Sequence, residues 1–246
     1  MGAPPFASRT YGPRDLDLPQ MAAWARALRA FAARLGVGGT PFAVNGVLRR
    51  RVFVRRHKLW EYAASAACLF AGGQKRLRIL DFGGAATLPI YFFAARGCPV
   101  ACLDIDERLC EATRRAARRH RWPLRVSSNN LVEAPSPPDM GGPFDAVISA
   151  SVLEHLPKEQ QAIAVTRLAA LLRPGGAFVL TFDFGADAPQ PGAVRSVEEV
   201  ARLVEASGLD WMDGQAFRDT GERFALDRRY PACKFTFGAA FLTRMV

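Results

Sequence analysis

Apolar residues early in the chain recur at helical spacing. Met21, Trp24, Leu28, Phe31 and Leu35 alternate at intervals of three and four, which puts them on one helix face; Gly36, Gly38 and Gly39 close it. Leu59, Tyr62, Ala66 and Leu69 form a second such face, ending at Gly72-Gly73. From there the pattern changes to short apolar runs separated by helical stretches. The runs predict strands over 78–81, 100–104, 124–127, 146–150 and 177–183. A helix over 88–95 accommodates Pro89 in its first turn. Another follows Asp106, an N-cap residue. A third, over 158–172, is stopped by Arg173-Pro174-Gly175-Gly176. Ser196-x-x-Glu199 is a capping box opening a last helix, and 233–242 reads as a late strand, one of an antiparallel pair.

Alternating strands and helices specify an α/β fold with a doubly wound, mostly parallel sheet covered on both faces. The expected organisation is a poorly ordered Pro- and Gly-rich tail over 1–19, a helical extension over 20–73 packed on the C-terminal edge of the sheet, and the sheet domain over 74–246.

A chain of 246 residues supports one such domain with its extension. Half of it is hydrophobic and 23% is charged, the balance of a soluble globular protein. No apolar run approaches the roughly 20 residues that span a bilayer, and the N-terminus lacks a secretory pattern, so a cytoplasmic protein without membrane contact is expected. Cys68, Cys98, Cys102, Cys110 and Cys233 show no C-x-x-C spacing and predict neither a metal site nor a disulfide framework. They read as small buried hydrophobes.

The formal charge of +10 raises the question of a nucleic-acid partner. Only Lys58, Lys75, Lys158 and Lys234 are lysines, so the charge is mainly an arginine bias of the kind a GC-rich coding sequence gives. After Asp106, Arg108, Arg114, Arg115, Arg118 and Arg119 lie opposite the apolar face of Leu109, Ala112, Thr113 and Ala116, as a solvated helix surface does. The denser run from Arg49 to Lys58 is the segment that would meet phosphates.

In such sheets ligands bind outside the carboxyl ends of the strands, at the switch point. Asp81-Phe82-Gly83-Gly84-Ala85-Ala86-Thr87 follows the first strand, where small residues let the backbone approach a ligand. Asp104 ends the second strand about twenty residues on, where a carboxylate accepts from both hydroxyls of a ribose. Asn130 follows the third, with an amide able to pair with an adenine edge. Ser149-Ala150-Ser151 ends the fourth and leads into Val152-Leu153-Glu154-His155-Leu156. The glycine loop lacks the G-x-G-x-x-G of a dinucleotide cradle, which argues against a nicotinamide-dependent oxidoreductase.

Together these motifs resemble those of class I S-adenosylmethionine-dependent methyltransferases. The loop at 81–87 is similar to that family's D-x-G-x-G-x-G, with Ala85 and Thr87 in place of the second and third glycines. Asp104 falls at its ribose-binding acid. Phe144-Asp145-Ala146-Val147-Ile148-Ser149 with Leu153-Glu154-His155-Leu156 is similar to its fourth-strand motif, and Leu172-Arg173-Pro174-Gly175-Gly176 to the turn before its fifth strand. The resemblance covers roughly 77–183. It implies a Rossmann-like sheet of seven strands closed by a C-terminal antiparallel hairpin. The cofactor would be S-adenosylmethionine, held by Asp81, Gly83, Gly84, Ala85, Asp104, Ile105, Asn130, Leu131 and Ala150.

Methyl transfer from a sulfonium is mainly alignment and exclusion of water, so no strong catalytic signature is needed. A base serves only an acceptor that must lose a proton; His155 is the candidate catalytic residue, with His57 and Glu61 behind it and Asp183 able to face the substrate. A small-molecule acceptor methylated on O or N is the leading expectation. The rivals are an RNA acceptor along 49–58 and a cofactor-binding module without turnover. Oligomeric state is left open.

Overall fold

The computed structural model describes residues 7–44, 46–50, 54–74, 76–133, 140–226 and 229–245. The N-terminal part contains strand β1 (Arg9–Thr10), helix α1 (Pro19–Val37), the hairpin β2 (Phe42–Val44) and β3 (Val47–Arg49), and helix α2 (Arg56–Phe70). Strands and helices then alternate: β4 (Ile79–Phe82), α3 (Leu88–Ala95), β5 (Val100–Asp104), α4 (Glu107–His120), β6 (Leu124–Ser128), β7 (Phe144–Ala150), α5 (Lys158–Ala170), β8 (Leu172–Phe184) and α6 (Val197–Ser207). Short β9 (Asp210–Trp211) and β10 (Thr236–Thr243) complete the chain.

The main sheet runs β1-β10-β8-β7-β4-β5-β6, with β9 also on β10. Strands β6, β5, β4, β7 and β8 are parallel. Strand β10 is antiparallel to β8, and β9 and β1 are antiparallel to β10. The chain order reverses between β4 and β7, so a crevice opens at their carboxyl ends.

Residues alternate along each strand between two cores. Ile79, Val100, Cys102, Ile148 and Val179 face α1 to α4. Leu80, Ala101, Leu103, Val147 and Leu180 face α5 and α6. Helix α3 is buried from Leu88 to Ala94 because α1 and α2 cover the side the sheet does not. Phe31 and Trp24 meet Phe92 edge-on, at 5.5 and 6.2 Å between ring centroids. A short helix apolar on every side is therefore stable here, where an isolated one would not be.

Two expectations need correction. Residues 7–19 are ordered, whereas residues 1–6 lie outside the described residues. Thr10 and Tyr11 donate their amides to Arg218 O and Phe237 O, and Ser8 Oγ accepts from Phe241 N at 3.0 Å. Asp15 is buried, pairs with Arg9, and accepts from Trp60 Nε1 at 2.9 Å. Strands β1 and β9, two residues each, share the outer edge of β10, pairing with Gly238 and Ala239 and with Leu242 and Thr243. Nor do the helices before β4 form a separate layer on the sheet's end. They share one core with the sheet face, and only the start of α2 reaches the strand carboxyl ends.

The expected turn at 173–176 also differs. Phe144 pairs with Leu172 and Ala146 with Ala177, so β8 begins before the turn and bulges through it. Cys68, Cys98, Cys102 and Cys110 are buried and Cys233 is half-buried, all as free thiols.

Candidate active site

The glycine loop is shaped by what lies beneath it. Asp81 ends β4 at 2% exposure. A Cβ on Gly84 would lie 2.1 Å from Asp81 Oδ1, so only glycine fits over this carboxyl. Gly83 has φ +76°, and a Cβ there would lie 2.6 Å from Val152 Cγ2. Ala86, at φ 60°, occupies a left-handed conformation without being glycine. Its amide donates to Thr113 Oγ1 at 2.7 Å, and its carbonyl accepts from Ala43 N at 2.6 Å. The β2–β3 hairpin thus clamps the loop; Arg108 Nη2 fastens its tip by donating to Gly46 O at 2.9 Å. Sequence reasoning missed this hairpin, although the Asn45-Gly46 dipeptide is a strong hairpin signal.

Asp104 closes β5 at 8% exposure. Oδ2 accepts from Ala85 N at 3.0 Å and Oδ1 from Asp106 N at 2.9 Å, so the carboxylate is fixed by the loop it faces. Ile105 beside it is 72% exposed, an apolar side chain at the mouth of the crevice. Asn129 N donates to Asp104 O at 3.0 Å. Asn130 Oδ1 accepts from Val132 N in a local turn, whereas the buried amide oxygen with no protein partner is Asn129 Oδ1. Leu131 is fully buried and Ala150 half-buried. The structure therefore brings together the predicted loop, Asp104 and Ile105, and adds Asn129 to Asn130 at the third strand end.

A second polar cluster lies across the crevice, at the ends of β7 and β8. Glu61, fully buried on the first turns of α2, accepts at Oε2 from Ser151 Oγ at 2.6 Å and Thr181 Oγ1 at 2.7 Å. Lys58 Nζ lies 3.0 Å from Glu61 Oε1 and donates to Ser151 Oγ at 2.6 Å. Ser151 adopts φ 54°, a left-handed conformation that this pair of bonds holds in place. Burial opposes the Lys58 charge, but the Glu61 carboxylate, helped by Tyr62, Glu154 and Asp183, raises its pKa above the usual lysine range. Lys58 also lies 5.0 Å from the centroid of Phe237, on which His57 stacks at 5.1 Å. Burial lowers His57 to about 4, with Lys58 and Arg55 adding to the shift and Glu61 opposing it, so this imidazole is neutral at pH 7.

The turn Leu153–His155 after β7 buries Glu154 rather than His155. His155 is exposed, and burial, Lys58 and Arg229 lower its pKa. Glu154 is 2% exposed and its Oε2 has no protein partner. Burial and the nearby Asp183 carboxylate raise Glu154 well above the usual carboxylate range, against the pull of Lys58. Glu154 carried no signal beyond its place beside His155, and Lys58 was read only as part of a basic run.

Two surface clefts lie elsewhere. One of about 490 Å³ is lined by Trp24, Phe70 and Arg96. The other, about 420 Å³, sits at the amino ends of the parallel strands beside Arg78, Trp122 and Met140. Among the described residues, no three His, Cys, Asp or Glu side chains group as a metal site, and no helix is long and apolar enough to cross a membrane.

Residues 79–176 match a family profile described as a methyltransferase domain. This stretch is a methyltransferase domain. The match starts at β4 and ends in the bulge of β8, so it covers the glycine loop, Asp104 and the turn bearing Glu154. The methyltransferase fold recurs in solved structures. Magnesium protoporphyrin IX methyltransferase from Synechocystis PCC 6803, with S-adenosylmethionine bound, is 19% identical, with a TM-score of 0.54 over 92% of this chain and 98% of that one. The 1,6-didemethyltoxoflavin-N1-methyltransferase of Burkholderia thailandensis, solved with 1,6-didemethyltoxoflavin and S-adenosylhomocysteine, is 18% identical, with a TM-score of 0.53 over 92% and 90%. A methyltransferase from Methanosarcina mazei is 16% identical, with a TM-score of 0.54 over 70% and 94%. No functionally curated protein matches the chain.

Proposed function

We propose that this methyltransferase alkylates a small-molecule acceptor held between the start of α2, the ends of β7 and β8, and the start of β10. The observation that carries this reading is the division of the crevice into two polar halves. On the β4–β5 side, Asp104 would accept from the ribose hydroxyls and Ile105 would cover the base. Asn129 and Asn130, with Leu131, would border the adenine, and Asp81 under Gly83, Gly84 and Ala85 would face the positive end of the cofactor. S-adenosylmethionine supplies the activated methyl group on a sulfonium. The cluster of Lys58, Glu61, Ser151, Thr181, Glu154 and Asp183 borders the space beyond Ala150, where an acceptor would be aligned and shielded from water.

The basic run supports a small acceptor over a nucleic acid. Arg56 donates to Pro13 O at 2.6 Å and Asp17 at 3.1 Å, Arg55 donates to Leu226 O at 3.3 Å, and Lys58 is committed to Glu61. Arg49 and Arg50 are exposed, whereas Arg51 lies outside the described residues. These side chains do not form the continuous stripe that tracks phosphates. His155, exposed on its turn, supports a rim position more than a base acting on a buried acceptor. The test is calorimetric titration with S-adenosylhomocysteine, followed by release of that product from S-adenosylmethionine with small acceptors and with RNA at increasing salt. Binding with turnover of a small acceptor is expected. Turnover of RNA alone, falling steeply with salt, would refute the small-acceptor reading.

A further inference from the structure

We infer that Glu61 and Ser151 are positioning residues for the cofactor: the α2 carboxylate holds Ser151 in its left-handed turn, and that turn seats Val152 on Gly83 of the glycine loop. The inference rests on the methyltransferase reading of the crevice and adds a link between its two halves.

The link begins where β7 leaves the sheet. Ala150 pairs with Thr181 as the last register of β7 on β8, and Ser151 N still donates to Thr181 O at 3.0 Å. At Ser151 the chain turns, with φ 54°. A residue with a Cβ takes this conformation at a cost, so its surroundings must hold it there. The Ser151 hydroxyl is held in both of its roles, donating to Glu61 Oε2 at 2.6 Å and accepting from Lys58 Nζ at 2.6 Å. The same Oε2 accepts from Thr181 Oγ1 at 2.7 Å, so one buried carboxylate from α2 ties down the ends of both strands.

The link ends at the glycine loop. Strand β4 lies beside β7, with Phe82 opposite Ser149, so a chain that turns after Ala150 can reach across to residue 83. Val152 does so: a Cβ on Gly83 would lie 2.6 and 2.8 Å from its two methyl carbons. The methyls thus fill the space that a side chain at 83 would take. Gly83, at φ +76°, is anchored at its amide, which donates to Leu103 O at 2.7 Å. The Val152 carbonyl accepts from His155 N at 3.0 Å, which fixes the turn beyond it. Relaxation of Ser151 toward a right-handed conformation would swing Val152 off Gly83 and loosen the loop. Neither Glu61 nor Ser151 has to touch the cofactor for this effect.

Calorimetric titration of the full chain with S-adenosylhomocysteine, parent first, tests the link. Ser151→Ala removes both hydroxyl bonds but keeps the Lys58–Glu61 pair and the strain of a Cβ, so affinity should fall about tenfold. Ser151→Gly removes the same bonds yet adopts the turn without strain, and should bind within about twofold of the parent. Val152→Ala should weaken binding at least about threefold, and adding Ser151→Ala to it should cost no more than about a further twofold, because the two act in series. A hydroxyl that touched the ligand directly would make glycine no better than alanine. Equal losses in the two Ser151 variants would therefore overturn the inference, as would parent affinity in Ser151→Ala or Val152→Ala, or losses that multiply in the double variant. Val152→Ala leaves the hydroxyl network intact, so it keeps the test open if Ser151→Ala does not fold: weakened binding supports the link and parent affinity overturns it. Failure of the parent to bind S-adenosylhomocysteine would overturn the cofactor-site reading itself, and is distinguished because it is measured first.

Discussion

Lowering the pH from 8 to 6 should weaken cofactor binding through one buried carboxyl. Asp81 lies under the glycine loop at 2% exposure. Burial and the neighbouring Asp104 raise it from 3.8 to about 7, against the Cys102 thiol and the Gly84 amide. The ammonium at the amino-acid end, which S-adenosylmethionine and S-adenosylhomocysteine share, favours the ionised carboxyl. Binding is therefore linked to loss of its proton. With a midpoint near 7, the ionised fraction is about one tenth at pH 6 and about nine tenths at pH 8, so the apparent Kd should rise roughly tenfold, or about 1.4 kcal/mol, on acidification. Calorimetry with S-adenosylhomocysteine in two buffers of different ionisation enthalpy should show about half a proton released at pH 7. Asp81→Asn should remove both the slope and the proton release. Because the folded-state pKa is raised, Asp81 stabilises the fold least above pH 7, so this variant should gain thermal stability over the parent at pH 8 and lose that gain near pH 4. A flat wild-type affinity between pH 6 and 8, or a slope that persists in Asp81→Asn, would refute the reasoning.

Other substitutions probe other parts of the site. Asp104→Ala removes the expected ribose acceptor and the anchor of Ala85 N; with charge-assisted bonds worth about 1.5–3 kcal/mol each, calorimetry should show S-adenosylhomocysteine affinity falling at least about tenfold. Gly84→Ala places a Cβ on Asp81 Oδ1, so denaturant unfolding should show a loss of about 1–3 kcal/mol, and an unchanged midpoint would mean that Asp81 swings aside. Glu61→Ala leaves the Lys58 ammonium without its partner, which in buried pairs costs about 3–5 kcal/mol. Lys58 keeps 21% side-chain exposure, so urea unfolding should fall toward the lower end of that range. Replacing Arg49 and Arg50 with Ala should leave cofactor affinity and turnover of a small acceptor unchanged at low and high salt; a large loss would return the basic segment to the site.

The parallel core was legible because buried strands read as unbroken apolar runs and their helices start at recognisable residues. Asp106 accepts from Leu109 N at 3.1 Å, as its N-cap position predicts, and Ser196 accepts from Glu199 N at 3.4 Å. Asp104 was legible from its distance to the glycines. Strand β1 was not, because two residues carry no periodicity and their pairing is fixed by β10 at the other end of the chain. The acceptor-side cluster was hidden for a related reason. Glu61 finds Ser151 and Thr181 at separations of 90 and 120 residues, so no local spacing ties it to a buried network. The β2–β3 hairpin carried a local signal, Asn45-Gly46, that the neighbouring arginine run obscured.

The central claim is that the carboxyl ends of β4 and β5 hold the cofactor while those of β7 and β8 face the acceptor. A crystal structure of the complex with S-adenosylhomocysteine tests it most directly. The account predicts the ribose hydroxyls on Asp104, the adenine beside Ile105 and Asn129, and the sulfur directed toward Glu154 and Asp183. A ligand seated at the amino ends of the strands, or a ribose that does not touch Asp104, would contradict it.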